Sequence, residues 1–277
     1  MALVLLEVSA VFYLLASLLG LAQLLAPRLA SQRAVLLGLL VAIVAHALAI
    51  GGRTVEVGSF PLADLHDGLS LFGFLAAVIA AGIARRSGVP QAAALAPVLV
   101  ALTVLLAVWI EPAEALPERL RSPWLPVHIA LAFLGEAAFA VAGLVSAVYL
   151  VQERRLKAKK RLARTGSGAH KLPALELLDG VSARLILLGF PLMTVGLVAG
   201  AVYGKEALGA YWSWGLLNIV SVVVWGLYAL LLHFRFTIGW RGKKAAVLTL
   251  IGVVATLVAL VGLGLAGVGA HGQDHVS

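Results

Sequence analysis

Seven histidines and no cysteine set the range of chemistry open to this 277-residue chain. Without a thiol, disulfides, thiolate metal sites and covalent haem attachment of the C-x-x-C-H kind are excluded. Metal or haem binding falls to imidazole. Neutral imidazole is a good iron ligand, and two can clamp one haem from opposite faces. Intramembrane histidines serve equally in proton relays and quinone sites, and a lone helix histidine is more often a hydrogen-bonded interior residue. Here the histidines fall into classes. His46 and His233 lie within long apolar runs, and His128 opens another after Ser-Pro-Trp-Leu-Pro-Val. His271 and His275 follow the last run, His66 stands between two runs, and His170 sits in a basic stretch where it is simply solvated.

The elements that carry these residues are read from composition. Hydrophobic residues make up 62% of the chain and charged residues 12%, about half the charge of an ordinary soluble domain. That excludes a soluble enzyme, a disordered tail and a nucleic-acid-binding domain, despite a net charge of +8. Eight apolar segments, at about 3–27, 34–52, 68–84, 91–110, 125–151, 182–203, 213–236 and 245–268, are each near the length a helix needs to cross a bilayer. The expected fold is therefore an all-α polytopic membrane protein of about eight transmembrane helices, a single membrane domain over 1–277. The apolar N-terminal run is too long for a signal peptide's core and reads as an uncleaved first span.

Charge orients the bundle. Seventeen of the 21 Lys and Arg fall in the 1–2, 3–4, 5–6 and 7–8 connections or at their edges, and Arg53, Arg119, Arg121 and Lys205 face the other way. The positive-inside rule makes those four connections cytoplasmic and puts both termini outside. The basic loop at about 152–180 reads as a solvated stop-transfer signal, the alternative being contact with anionic headgroups. Leu172–Leu178 is expected to be a short surface segment leading into the sixth span. The other long connection, about 203–215, contains Tyr203, Tyr211, Trp212 and Trp214. Such aromatics serve as an interfacial anchor or as flat walls for a planar apolar ligand, and the two readings are compatible.

The ordered motifs carry a resemblance. His46-Ala-Leu-Ala-Ile-Gly-Gly-Arg53 and Pro61-Leu-Ala-Asp64-Leu-His66-Asp67-Gly-Leu69 resemble the second-span histidine, the arginine and the "P-L-x-N-L-Y-E-S-L" segment of the cytochrome c assembly, haem-handling membrane proteins, the CcsA/CcmC superfamily and its HemX-like relatives. His128 and the following span to Tyr149-Leu-Val-Gln-Glu153, then Leu175-Glu-Leu-Leu-Asp179 and Gly189-Phe-Pro-Leu-Met-Thr194-Val-Gly196, continue the likeness. So do Trp225-Gly-Leu-Tyr228 through His233-Phe-Arg235, Gly239-Trp-Arg-Gly242 and Gly267-Val-Gly-Ala-His271.

The resemblance implies non-covalent haem b. His128 and His271 would be an external ligand pair beneath a tryptophan-rich "WWD" loop formed in part by Trp212 and Trp214. His46 and His233 would be a membrane pair, and Arg53 or Arg121 the nearest cation for the propionates, Arg53 being preferred because it matches the family's position. The family loop is close to W-x-W-D-P-K-E-x-W, whereas Trp212-Ser-Trp214 continues Gly215-Leu-Leu-Asn218, so its Asp, Lys and Glu are missing. The implied function is haem handling in cytochrome c maturation, as a carrier or chaperone rather than a bond-making catalyst, in the bacterial inner membrane. Its implied partners are haem, other maturation or membrane-complex subunits and the bilayer, with no nucleic acid. The alternative is a haem-free assembly subunit that kept the fold and docks through small-residue surfaces such as Gly135, Ala138 and Ala142. One tension is depth: with span 2 ending near Arg53 and span 7 opening near Trp212, His46 and His233 lie roughly 20 Å apart along the membrane normal.

Overall fold

A computed structural model describes residues 1–26, 28–61, 64–112, 118–161 and 173–265. Eight α-helices alternate in direction: α1 (Ala2–Leu25), α2 (Gln32–Val57), α3 (Leu65–Arg86), α4 (Gln91–Trp109), α5 (Trp124–Arg161), α6 (Leu175–Leu208), α7 (Leu216–Phe236) and α8 (Lys243–Leu265). A single 3-10 turn, Glu118–Leu120, precedes α5. No strand occurs among the described residues. Helices α1 to α7 each contain a stretch long and apolar enough to span a membrane. The chain is a polytopic all-α membrane protein.

Local chemistry sets the helix ends. The Ser31 hydroxyl accepts from the Ala34 amide at 3.1 Å and opens α2, and the Asp64 carboxylate accepts from the Asp67 amide at 2.8 Å and opens α3. Each is an N-cap that satisfies an amide otherwise left orphaned. Gly58 and Gly209 close α2 and α6 in the left-handed region, at φ of 71° and 82°, where a side chain is strained.

The helices pack in two groups of four. In one, α1 packs on α2 and α4, and α3 packs on α4; in the other, α5 packs on α6 and α8, and α7 on α8. The seam between them is α5 against α3 and α4. The longest pairing is α5 with α6. There a Cβ at Gly135 would lie 2.8 Å from the Gly189 carbonyl oxygen, and one at Gly196 would lie 2.9 Å from the Ala132 amide nitrogen. Backbones approach that closely only where side chains are absent, the packing mode of small residues in membrane helices. This corrects one expectation: Gly135, Ala138 and Ala142 are buried within the chain and offer no partner a docking surface.

Helix bounds correct others. Leu175–Leu178 are the first turn of α6 rather than a separate surface segment, and α5 carries the expected loop residues 152–161 as helix. α6 runs on to Leu208, so the aromatic connection shrinks from 203–215 to 209–215. The alternation leaves one end of the bundle bearing Arg85, Arg86, Arg235 and Lys243, here the basic end, and the other bearing the 209–215 connection, here the aromatic end.

Candidate functional site at the aromatic end

His128 stands on the second turn of α5, against α6. Its Nδ1 lies 2.7 Å from the Gly196 carbonyl oxygen. A carbonyl only accepts, so Nδ1 carries the proton and donates it, leaving the Nε2 lone pair as the ring's basic position. This is the arrangement found behind metal-bound histidines, where a second partner fixes tautomer and ring orientation. Gly200 makes room for the ring: a Cβ there would lie 2.7 Å from both Cε1 and Nδ1 of His128.

One turn further along α6, roughly 6 Å, is Gly204, where an added Cβ would meet the Ala210 carbonyl oxygen at 2.9 Å. The aromatic connection thus folds back over α6 directly beyond His128. Its rings face outward: Tyr211 is 63% exposed, Trp212 41% and Trp214 82%. Trp212 and Trp214 meet edge to face at 5.8 Å between centroids. Asn218 holds the connection against α7, donating to the Ser213 carbonyl and hydroxyl oxygens at 3.0 and 2.9 Å. Lys205, on the last turn of α6, donates to the Gly209 carbonyl oxygen and lies 5.7 Å from the Tyr211 ring centroid. The Ser122 hydroxyl donates to Glu206 Oε2 at 2.6 Å and ties the approach to α5 onto the end of α6.

His128 and the connection that carries Trp212 and Trp214 lie at the same end of the α5–α6 pair. His271 lies outside the described residues, as do His170 and His275. Sequence reading passed over Lys205 as a loop cation. Its signal is the i, i+4 register that puts it beneath Gly209, visible only once α6 is known to extend that far.

Arg53 is placed elsewhere. Its Nε donates to Asp67 Oδ1 at 3.3 Å, with the Asp67 side chain only 2% exposed. Both line a narrow cleft between α1, α2 and α3, together with His66 and Ser70. His66 repeats the tautomer logic, donating from Nδ1 to the Ala107 carbonyl oxygen at 2.9 Å. None of His128, Trp212 and Trp214 lines this cleft.

His46 is fully buried, and both ring nitrogens are engaged. Nδ1 is 3.3 Å from the Tyr13 hydroxyl and Nε2 is 3.0 Å from the Ser70 hydroxyl, with Tyr13 and Phe74 packed edge-on to the ring. His233 is exposed near the end of α7. The structure does not bring the two together. α2 continues to Val57 and α7 begins at Leu216, which shortens the gap in depth to roughly 9 Å. The two helices nonetheless belong to different four-helix groups.

One further intramembrane group went unremarked in the sequence. Oε2 of Glu136, on α5, is enclosed and has no hydrogen-bond partner. A single acid does not interrupt a hydropathy run, but an ionisable residue at that depth is a functional candidate in its own right.

Comparison with known proteins follows the same path. The family model described as Cytochrome C assembly protein matches residues 5–271. The Cytochrome c biogenesis protein CcsA of Microcystis aeruginosa (strain NIES-843 / IAM M-2473) is 30% identical over 279 residues, covering 84% of this chain and 85% of that protein. The protein of the same description from Synechococcus sp. (strain CC9605) is 32% identical over 241 residues, covering 79% of each. Among solved structures, Cytochrome c Heme Lyase CcmF shares the fold with a TM-score of 0.62 at 20% identity, over 96% of this chain. The chain spans half the length of that protein.

Proposed function

Because the chain belongs to the cytochrome c assembly protein family, we propose that it acts in cytochrome c maturation as a haem-handling protein of the bacterial inner membrane, with the aromatic end on the outer side. In this reading haem b is non-covalent cargo. The supporting observation is the His128 imidazole, anchored through Nδ1 on Gly196 with its Nε2 lone pair uncommitted, and seated beside Gly200, one helical turn along α6 from Gly204, over which the connection bearing exposed Trp212 and Trp214 folds. That donor fits an iron ligand in type, tautomer and support.

Each residue has a stated part. His128 Nε2 would hold the iron on one face, and His271, carried over from the family resemblance, would hold it on the other. Trp212 and Trp214, set edge to face, would offer the macrocycle one ring face and one ring edge. Lys205 takes the place assigned from sequence to Arg53 as the nearby cation, since Arg53 is committed to Asp67 in another cleft. The family's loop charges are missing, and Asn218 supplies the structural share of their work by fixing Ser213. His46 and His233 would serve haem on its way to this site. His46 would first have to release Tyr13 or Ser70.

Complementation tests the reading. In a strain lacking its own factor of this type, expression of this chain is expected to restore holo-cytochrome c, seen as covalent haem on denaturing gels. Trp212→Ala with Trp214→Ala is expected to lower that yield roughly 30-fold, since each ring contact contributes about 1 kcal/mol. Full yield from the double variant would remove the platform from the account. Restoration by a chain that never carries haem would favour the haem-free assembly subunit.

A further inference from the structure

The structure assigns a second ligand site, at the basic end: a groove between α2 and α3 that takes one anionic phospholipid, its phosphate on Arg85 and Arg86 and an acyl chain along α3. The groove is open along one side and is lined by Leu40 and Ile43 of α2 and by Val78, Ala81, Gly82, Arg85 and Arg86 of α3.

The groove exists because two helices that touch at one end part at the other. Towards the aromatic end α2 meets α3 through Arg53 with Asp67, His46 with Ser70, and His46 with Phe74. Asp67, Ser70 and Phe74 recur at helical spacing, and the same stripe continues as Val78, Ala81, Gly82 and Arg85. Along that continuation α2 no longer closes the space. Nothing lies within 4 Å of where a Gly82 Cβ would stand. From Val78 to Arg85 the stripe runs roughly 10 Å into the bilayer, within reach of the upper part of one acyl chain.

Charge complementarity selects the occupant. Arg85 and Arg86 are exposed on the last turn of α3, at headgroup depth for a helix of this length. Neither has an acidic partner among the described residues, whereas the acids Glu153 and Asp179 at the same end are taken by Lys157 and Arg235. A basic mouth on an apolar intramembrane groove is the feature that distinguishes an anionic lipid site from an ordinary lipid-facing surface. Arginine also matches phosphate geometry with two parallel donors.

Native mass spectrometry of the purified full chain tests this. The probes are phosphatidylglycerol and phosphatidylcholine of identical acyl chains, with glycerol phosphate as the chain-free headgroup. One phosphatidylglycerol is expected to stay bound under activation that strips phosphatidylcholine, and glycerol phosphate is not expected to be retained. Arg85→Gln with Arg86→Gln is expected to weaken phosphatidylglycerol binding roughly tenfold or more. Gly82→Leu fills open space without a clash and keeps both charges, and it is expected to lose the adduct while melting like the parent. Equal retention of both lipids, or retention undiminished in Gly82→Leu, would overturn the site. Retention of glycerol phosphate as firm as that of the lipid would reassign it to a free phosphate ester.

Discussion

Replacing His128 by alanine is expected to strip the purified protein of haem, with the haem-to-protein ratio falling by more than the roughly 100-fold that loss of a ligand's supporting hydrogen bond costs. The geometry makes the prediction graded. His128→Ala removes the imidazole nitrogen that the α5–α6 pair holds ready at this site. Gly200→Ala keeps the ring but places a methyl 2.7 Å from its present position, so the imidazole must swing off the Gly196 carbonyl. That variant is expected to lose affinity by about 10- to 100-fold and to show an altered ligand field in its visible spectrum. His46→Ala supplies the contrast. It leaves the Tyr13 and Ser70 hydroxyls facing a buried space with no partner, and its expected signature is a lower melting temperature, with whatever haem reaches the outer site keeping the parent's ligand field. Equal haem in His128→Ala and the parent would remove His128 from the site.

Asp179→Ala is expected to cost the fold about 3 kcal/mol. At the basic end the Asp179 carboxylate faces Arg235 at 2.9 Å and accepts from the Gly242 amide at 3.0 Å, while Arg235 also donates to the Asp179 carbonyl oxygen at 2.7 Å. The Arg235 side chain is only 5% exposed. Removing Asp179 therefore strands a buried cation and undoes the joint between the start of α6, the end of α7 and the turn into α8. Thermal unfolding in a single detergent measures the loss. Because the penalty comes from the stranded charge, Arg235→Leu combined with Asp179→Leu is expected to recover roughly half of it. A double variant less stable than Asp179→Ala would show that the pair itself stabilises the joint.

Much of this architecture was legible in the chain because membrane solvation imposes it. Apolar length marks the helices, since lipid offers backbone groups no partner outside them. His128 was legible too: its place after Pro126 at the head of an apolar run put it at a helix end beside the aromatic connection. The occupancy of ring nitrogens was not. Whether His46 is a free ligand or a tethered core residue depends on Tyr13 and Ser70, which lie 33 and 24 residues away and reach it only through α1 and α3. Arg53 stands where the family resemblance puts it, but its ion pair with Asp67 is set by how α2 packs on α3 and leaves no mark in the sequence. Tyr203 to Glu206 read as connection because aromatics and charges lowered the local hydropathy, yet the helix continues through them until Gly209. The groove beside Gly82 leaves no mark in composition, since it results from the angle between two helices.

The most direct measurement is the visible spectrum of the wild-type protein purified from haem-replete cells. The account predicts a Soret band with the sharp α and β bands of a six-coordinate, low-spin bis-imidazole haem, lost in His128→Ala and in His271→Ala. A preparation with no Soret band, fully folded and still able to restore holo-cytochrome c, would contradict it.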